Sequence, residues 1–439
     1  MAGVRIAIDG YNLALPRGTG VATYARTLSH CLHDLGCKVD ILYGRRVHLG
    51  DAPILHEIAF LDPDGVKPPR WRRRLRQFAE AFTSPFGRKA QVITIEGQVI
   101  ARDVAATLPY FDRITAVPDL IHTAMRHFKR WGTFLEVRVP DPPAIMHWTY
   151  PLPIRVAGAR NIYTLHDLVP LRLPFATLDD KKYYYKLIRK CVETAGHICT
   201  ISQRSKADIK ALFAIDDSRI SNTYQSVALP AATAGQTEAE SRQYVERVYG
   251  FGWKGYFLFF GAIEPKKNVA RLIEAVLKAR PGRPLVIIGD AAWKAAEEVT
   301  FIADYEREVQ ATGAPRRIHK FSYVPAPHLA ALVKGARAVL FPSLYEGFGL
   351  PVLEAMLMGT PVLTSTEGAM PEIAGDATLL VDPYDVDAIA AAVTRLDADD
   401  VLVADLAQRG PGQAAKFGIP SYLARLEEMY AKVLDLDPV

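Results

Sequence analysis

Cysteine is scarce in this sequence, with four residues among 439, and the pairs Cys31/Cys37 and Cys191/Cys199 match no zinc or redox spacing. A disulfide scaffold and a zinc ribbon are therefore excluded. Long apolar runs are missing as well. The longest, such as Tyr256–Ile263, are strand-sized, against the ~18–20 residues needed to span a bilayer. No signal-peptide layout opens the chain, because Arg5 and Asp9 bracket a short apolar stretch that reads as a first strand. Nor does the composition lean to one side: 49% of residues are hydrophobic and 23% charged, which excludes disordered and collagen-like classes. No Gly-x-Gly-x-x-Gly follows the first strand, which argues against a dehydrogenase. At this length two or three domains are expected, in a soluble protein of a reducing, cytoplasmic compartment.

Acid is nearly absent from one stretch. Between Gly65 and Ala90 only Glu80 is acidic, while Lys67, Arg70, Arg72, Arg73, Arg74, Arg76, Arg88 and Lys89 crowd the segment, and Trp71, Leu75, Phe78 and Phe82 recur at near-helical spacing. The imbalance extends to the halves of the chain: residues 1–225 carry 32 Lys or Arg against 21 Asp or Glu, and the remainder 21 against 27. Such asymmetry suggests two domains with different partners. The basic stretch reads either as a solvated helix whose aromatics pack on their own domain, or as a surface for an anionic membrane or lipid-linked substrate, with Trp71, Arg72, Arg73, Arg74 and Arg76 making the contact. Nucleic acid is not an expected partner, since no motif for it accompanies the charge.

Along the chain, Val4–Ile8 reads as a strand, Asp9 to Gly20 as a loop, Val21–Leu35 as a helix closed by Gly36, and Val39–Tyr43 as a second strand. Strand, helix and strand in that order imply a parallel sheet. Residues 65–145 show no clean period and read as an insertion or as an acceptor or membrane surface. Strands are expected over Asn161–Leu165 and His197–Ile201, with helices over Leu178–Cys191 and from about Ser205. The stretch Leu229–Glu240 reads as a linker. The pattern then restarts with strands at Tyr256–Phe260, Leu285–Ile288, Ala338–Phe341 and Pro361–Thr364, and helices at Val269–Ala279 and Asp385–Leu396. In such open parallel sheets, ligands sit beyond the carboxyl ends of the strands.

The strongest local signal lies there: Phe341-Pro-Ser-Leu-Tyr-Glu346-Gly-Phe-Gly349-Leu-Pro351-Val-Leu-Glu354. Gly347 and Gly349 allow close backbone approach, and Pro351 suits a first helical turn. Free N–H groups at that helix start make an anion site suited to phosphate. Glu346 and Glu354, eight residues apart, flank it, and carboxylates accept hydrogen bonds from vicinal hydroxyls. A phosphate site beside two hydroxyl readers describes a nucleotide-sugar pocket.

These residues resemble those of the retaining glycosyltransferases of family 4, in particular bacterial mannosyltransferases of surface polysaccharide assembly. The segment Gly261-Ala-Ile-Glu-Pro-Lys-Lys267-Asn268-Val is similar to the family's donor-phosphate loop, and Pro371-Glu372-Ile through Asp382-Pro to its closing segment. Arg17-Gly-Thr-Gly20-Val-Ala-Thr-Tyr24 and Ile162-Tyr-Thr-Leu-His166-Asp167-Leu-Val-Pro match more weakly.

The resemblance implies the α/β fold called GT-B, two facing Rossmann-like domains with parallel sheets and a cleft between them. An acceptor domain would occupy 1–228, a donor domain 241–410, and a final helix in 411–439 would pack back on the first. It implies retaining transfer of a hexose, with GDP-mannose as the first guess for the donor, to a glycan or lipid-linked acceptor, without metal ion or organic cofactor, at the inner face of the plasma membrane. A catalytically inactive nucleotide-sugar scaffold and a sugar-nucleotide epimerase on the same fold are the alternatives. By the resemblance Glu346 touches the donor sugar, Glu354 the ribose, and Lys267 the diphosphate. Gly261 and the backbone of Phe348, Gly349 and Leu350 line the donor, Gly18 and Gly20 approach its diphosphate, and His166 lies near the reacting sugar. Many relatives carry arginine where Ala262 stands, which leaves Lys266 to supply a second cation. Tyr224-Gln-Ser-Val227 replaces the usual Asn-Gly-Val at the interdomain hinge.

Overall fold

The structure is a computed structural model that describes residues 1–14, 20–45, 83–95, 108–229, 233, 235–292 and 296–435. Its first half is built on β1 (Arg5–Asp9), β2 (Lys38–Tyr43), β3 (Arg88–Lys89), β4 (Gln91–Ile93), β5 (Arg113–Ala116), β6 (Leu135–Arg138), β7 (Ile145–Trp148), β8 (Ile154–Val156), β9 (Arg160–Leu165), β10 (His197–Thr200) and β11 (Ile220–Asn222). The helices of this half are α1 (Gly20–Asp34), α2 (Leu120–Trp131), α3 (Val169–Arg172), α4 (Lys181–Thr194) and α5 (Gln203–Leu212). The second half holds β12 (Phe257–Phe260), β13 (Leu285–Ile288), β14 (Ile318–Phe321), β15 (Ala338–Phe341), β16 (Val362–Ser365) and β17 (Leu379–Val381). Around them run α6 (Glu238–Gln243), α7 (Val269–Ala279), α8 (Ala296–Thr312), α9 (Ala326–Gly335), α10 (Leu350–Leu357), α11 (Met370–Ala374), α12 (Val386–Ala398), α13 (Asp400–Ala415) and α14 (Ile419–Asp435).

Two Rossmann-like sheets result. The first is eight-stranded, ordered β11-β10-β9-β7-β1-β2-β5-β4, and the second six-stranded, ordered β14-β13-β12-β15-β16-β17. All pairings in them are parallel except β4 with β5. Strands such as Phe-Leu-Phe-Phe, Leu-Val-Ile-Ile and Ala-Val-Leu-Phe are buried throughout, as strands covered by helices on both faces must be. Strand order reverses between β1 and β7 in one sheet and between β12 and β15 in the other. Such switch points open a crevice at the carboxyl ends of the strands.

Several boundaries differ from those read in the sequence. Residues 113–116 form β5, paired with β2 from Asp40–Arg113 to Tyr43–Ala116. At least this part of 65–145 therefore belongs to the sheet and is not an insertion over it; four short residues among arginines and prolines gave too brief a period to detect. Helix α4 begins at Lys181, because Asp180 caps it by accepting from the Lys182 and Tyr183 N–H groups. The linker ends early, at the capping box of Thr237 and Glu240 that starts α6. Helix α13 runs through Pro411 to Ala415, so a boundary at 410/411 cuts a continuous helix. Gly410 there presses on α10, where a Cβ would come 3.2 Å from the Met356 carbonyl oxygen, and this packing carries the helix past the bond Pro411 cannot make.

Helix α14 returns to the first sheet. Tyr430 OH lies 2.5 Å from His147 Nδ1, Arg425 Nε donates to the Thr223 carbonyl at 2.9 Å, and Tyr422, Leu426 and Tyr430 are fully buried. The chain thus crosses between the halves twice, and the crossings are joined where Val227 N–H donates to Phe417 O at 2.9 Å. Replacing Leu426 with Ala should cost about 2–5 kcal/mol by urea denaturation. A loss under about 0.5 kcal/mol, the usual range of surface substitutions, would mean that α14 contributes no core.

Candidate functional site

The turn from β12 into α7 and the turn from β15 into α10 both end at the second sheet's switch point, and they bring the lysines and Glu346 together. Lys267 Nζ lies 2.5 Å from Glu346 Oε1 and 4.6 Å from the Phe341 ring centroid. Lys266 Nζ lies 3.6 Å from Glu346 Oε2 and 3.5 Å from Glu264 Oε1. Burial alone would push the Glu346 carboxyl up, but the two ammonium groups outweigh it and hold it below its ordinary range. Lys266 is raised: burial opposes its charge, and the attraction of Glu346, Glu264 and Asp167 more than offsets that. Lys266 therefore carries its positive charge beside Glu346 and Glu264.

Backbone contacts lock the two turns. Leu344 N–H donates to Lys266 O at 2.8 Å. Asn268, at the N-cap position of α7, has φ of 62° and caps nothing. Its amide instead donates to the carbonyls of Pro342, at 3.0 Å, and Pro383, at 2.6 Å. Past Glu346 the N–H groups of Gly347, Phe348 and Gly349 donate to no acceptor among the described residues. They precede α10, whose positive dipole end adds to their attraction for an anion. Gly349 adopts φ of 105°, a left-handed conformation that favours glycine. Glu354, one turn into α10, is half-buried, its carboxyl has no hydrogen bond or ion pair among the described residues, and burial pushes that carboxyl up to about 7.

The first half meets this turn directly. A Cβ on Gly347 would lie 2.9 Å from the Asp167 side chain and 3.0 Å from the His166 carbonyl oxygen, so only glycine permits the approach. His166, just past the end of β9, has Nε2 2.8 Å from the Thr149 carbonyl oxygen. A carbonyl only accepts, so Nε2 carries the proton. Burial lowers the ring's pKa, which keeps it neutral with Nδ1 as an acceptor. Thr149 is fixed in turn by buried Asp9, which accepts from its N–H at 2.5 Å and its hydroxyl at 2.8 Å; burial raises Asp9 to about 6. Gly20 begins α1, and a Cβ there would meet no atom within 4 Å among the described residues, while Gly18 and the residues Trp71, Arg72, Arg73, Arg74 and Arg76 lie outside the described residues.

Sequence reading missed the residues that bridge the halves. Glu372, in α11, sends its carboxylate across to the start of α5, accepting from the Gln203 and Arg204 N–H groups at 2.9 Å each and from Tyr224 OH at 3.2 Å. Asp208, in the same α5, is buried, accepts from Tyr345 OH and pairs with Arg172 and Arg204. Tyr224 itself sits at φ of 58°, with Phe348 and Phe417 ring centroids 6.2 and 5.2 Å away. The only signal available was that Tyr345 adjoins Glu346 and that Glu372 lies in the closing segment.

Residues 249–413 match the family described as glycosyl transferases group 1. O-antigen chain mannosyltransferase B of Escherichia coli is 33% identical over 263 residues, 59% of this chain and 66% of that protein. An MMP alpha-(1->4)-mannosyltransferase of Mycolicibacterium hassiacum is 32% identical over 448 residues, 98% of both. Among solved structures, sucrose-phosphate synthase from Thermosynechococcus elongatus has a TM-score of 0.65 at 18% identity, covering 98% of this chain and 99% of its own. WaaG, a glycosyltransferase involved in lipopolysaccharide biosynthesis, has a TM-score of 0.60 at 16% identity, covering 97% and 99%. Both share the two-domain GT-B fold.

Glu372→Ala removes the carboxylate that caps α5 across the cleft, a loss of about 1 kcal/mol for a helix cap. Small-angle scattering of the unliganded variant should show a larger radius of gyration than wild type. An unchanged radius would mean that other contacts hold the halves together.

Proposed function

The chain belongs to the group 1 glycosyl transferases, and from that premise we propose that it transfers mannose from GDP-mannose, with retention of configuration, to a hydroxyl of a lipid-linked or polysaccharide glycan. One observation carries the reading: two lysines and three successive free N–H groups converge at the start of α10, flanked by Glu346 and Glu354. The mannosyl assignment draws support from the names of the relatives.

In this reading the diphosphate lies against the N–H groups of Gly347 to Gly349, with Lys267 beside it and Lys266 behind. As the bond from the anomeric carbon to the phosphate oxygen breaks, charge grows on the diphosphate, and donors already in place stabilise it without reorganisation. Glu346, kept ionised by the lysines, accepts hydrogen bonds from the sugar hydroxyls. Neutral His166 presents Nδ1 to another hydroxyl. The acceptor oxygen then bonds to the anomeric carbon on the face the phosphate leaves, and its proton passes to the departing phosphate oxygen. No step calls on a metal ion.

Glu354 suits a ribose. A half-buried carboxylate without a partner is poorly solvated, and two hydroxyl donors would correct that. At about pH 6 its raised pKa keeps it largely protonated in the free protein, and hydrogen bonds to the carboxylate favour the ionised form. GDP binding near that pH should therefore release protons, measured by calorimetry in buffers of different ionisation heat. Glu354→Gln should remove that release; equal release from both would take the ribose away from Glu354.

GDP at 100 times its dissociation constant should add about 2.7 kcal/mol of stability, visible as a thermal shift that UDP, dTDP and ADP do not match. With excess EDTA present, Lys267→Ala should lower kcat by about 10²–10³. A shift with UDP alone would replace the donor, and activity lost to EDTA but restored by a divalent ion would overturn metal independence.

A further inference from the structure

A cavity of about 250 Å³ opens at the edge of the first sheet, along β11 and between α5 and α14. It is separate from the donor turns, since none of Lys266, Lys267, Glu346 and Glu354 lines it. Helix α5 brings Lys206 to its wall, β11 brings Asn222, and α14 brings Arg425 and Lys432. Two acids line it too: Asp217, in the turn before β11, and Glu428, in α14.

The acids do not balance the cations. Asp217 is claimed by Lys206 and Lys210, each with its Nζ 3.0 Å from the Asp217 Oδ1. Glu428 is exposed and makes no ion pair among the described residues, and neither do Arg425 and Lys432. Two groups register the excess positive charge. Burial lowers the pKa of Arg425, with no carboxylate beside it to offset the loss. His197, whose Nε2 lies 2.8 Å from Ser221 Oγ on the same wall, is pushed down to about 4 by burial and by Lys432, Arg219 and Lys206.

Donors are left over as well. Arg425 Nε donates to the Thr223 carbonyl at 2.9 Å, and Asn222 Oδ1 accepts from the Tyr224 N–H at 2.9 Å. Arg425 Nη2 and Asn222 Nδ2, in contrast, are buried with no acceptor among the described residues. A buried donor without an acceptor is costly. Water would serve a donor and leave the charge, whereas an anion answers both.

We propose that this cavity binds the phosphate group of a small metabolite, free or as an ester. Its donors come from three elements, so the acceptor oxygens must point several ways, as those of a phosphate do and the two coplanar ones of a carboxylate do not. The site does not rest on the glycosyl-transfer reading. It does touch the joint between the halves. Gln203, also on the wall, has its N–H on Glu372, and the Arg425 guanidinium lies 5.1 Å from the ring centroid of Tyr224, whose hydroxyl donates to the same carboxylate. An occupant held by Arg425 therefore bears on the contact that joins α5 to the second half.

The test is calorimetric titration of the full chain with inorganic phosphate and with glucose 6-phosphate at constant ionic strength. Lys267→Ala, which strips a cation from the donor turns, should still bind one phosphate per chain. A charged contact is worth roughly tenfold or more, so Lys432→Gln in that background should weaken binding by about that factor. Asn222→Asp keeps the oxygen that Tyr224 uses and turns the spare donor into an acceptor, so it should abolish binding. Unliganded melting scores the fold of each variant, and if one melts early the other carries the test. Tighter binding of glucose 6-phosphate than of phosphate would identify the ligand as an ester, and the reverse as the free ion. No binding of either by wild type, binding lost in Lys267→Ala but kept in Asn222→Asp, or equal binding in all the variants would each overturn the proposal.

Discussion

Buried charge governs how the second half of this molecule is arranged. Ions removed from water cost several kcal/mol each unless paired in good geometry, and at the end of one sheet Glu264 and Glu346 are buried and Lys266 and Lys267 largely so. The pairing works only if two turns from different strands hold a fixed register. The Leu344–Lys266 backbone bond and the Asn268 amide, reaching to Pro342 and Pro383, impose that register. In the proposed reading the cluster serves a second purpose. Glu346 neutralises the lysines while the pocket has no ligand, and an incoming diphosphate supplies charge of the same sign.

The first half closes over this cluster through α5. One helix contributes its first N–H groups to Glu372 and its buried Asp208 to Tyr345, so it touches both the closing segment and the residue next to Glu346. An apolar seam of Val169, Leu173 and Ala176 against Leu344 and Tyr345 lies alongside. Any movement of the halves apart exposes that seam and uncaps α5 in one event.

Much of the architecture could be read from local patterns. Runs such as Phe-Leu-Phe-Phe in the second half are short, apolar and bounded by turns, and each proved a buried parallel strand. Glu346, Lys266 and Lys267 converge as their turns suggested, because glycine and proline there leave few alternative conformations. What resisted reading depended on distant partners. Asn268 looks like a helix cap, yet the carbonyls that claim its amide lie 74 and 115 residues on. Strand β5 is too short to show a period. Asp208 and Glu372 look like ordinary helix carboxylates, and only the apposition of the two halves gives them partners.

Helix α14 has a consequence for how the protein is made. The core beneath the first sheet includes Tyr422, Leu426 and Tyr430, the last helix of the chain. A ribosome adding about 5–20 residues per second needs roughly ten to forty seconds to go from β11 to that helix. For that interval the first half exists with one side of its core uncovered and His147 without its tyrosine partner. The second half, whose strands and helices follow one another without such a loan, can close first. Assembly therefore runs against the order of synthesis, with the amino-terminal half the last to be completed.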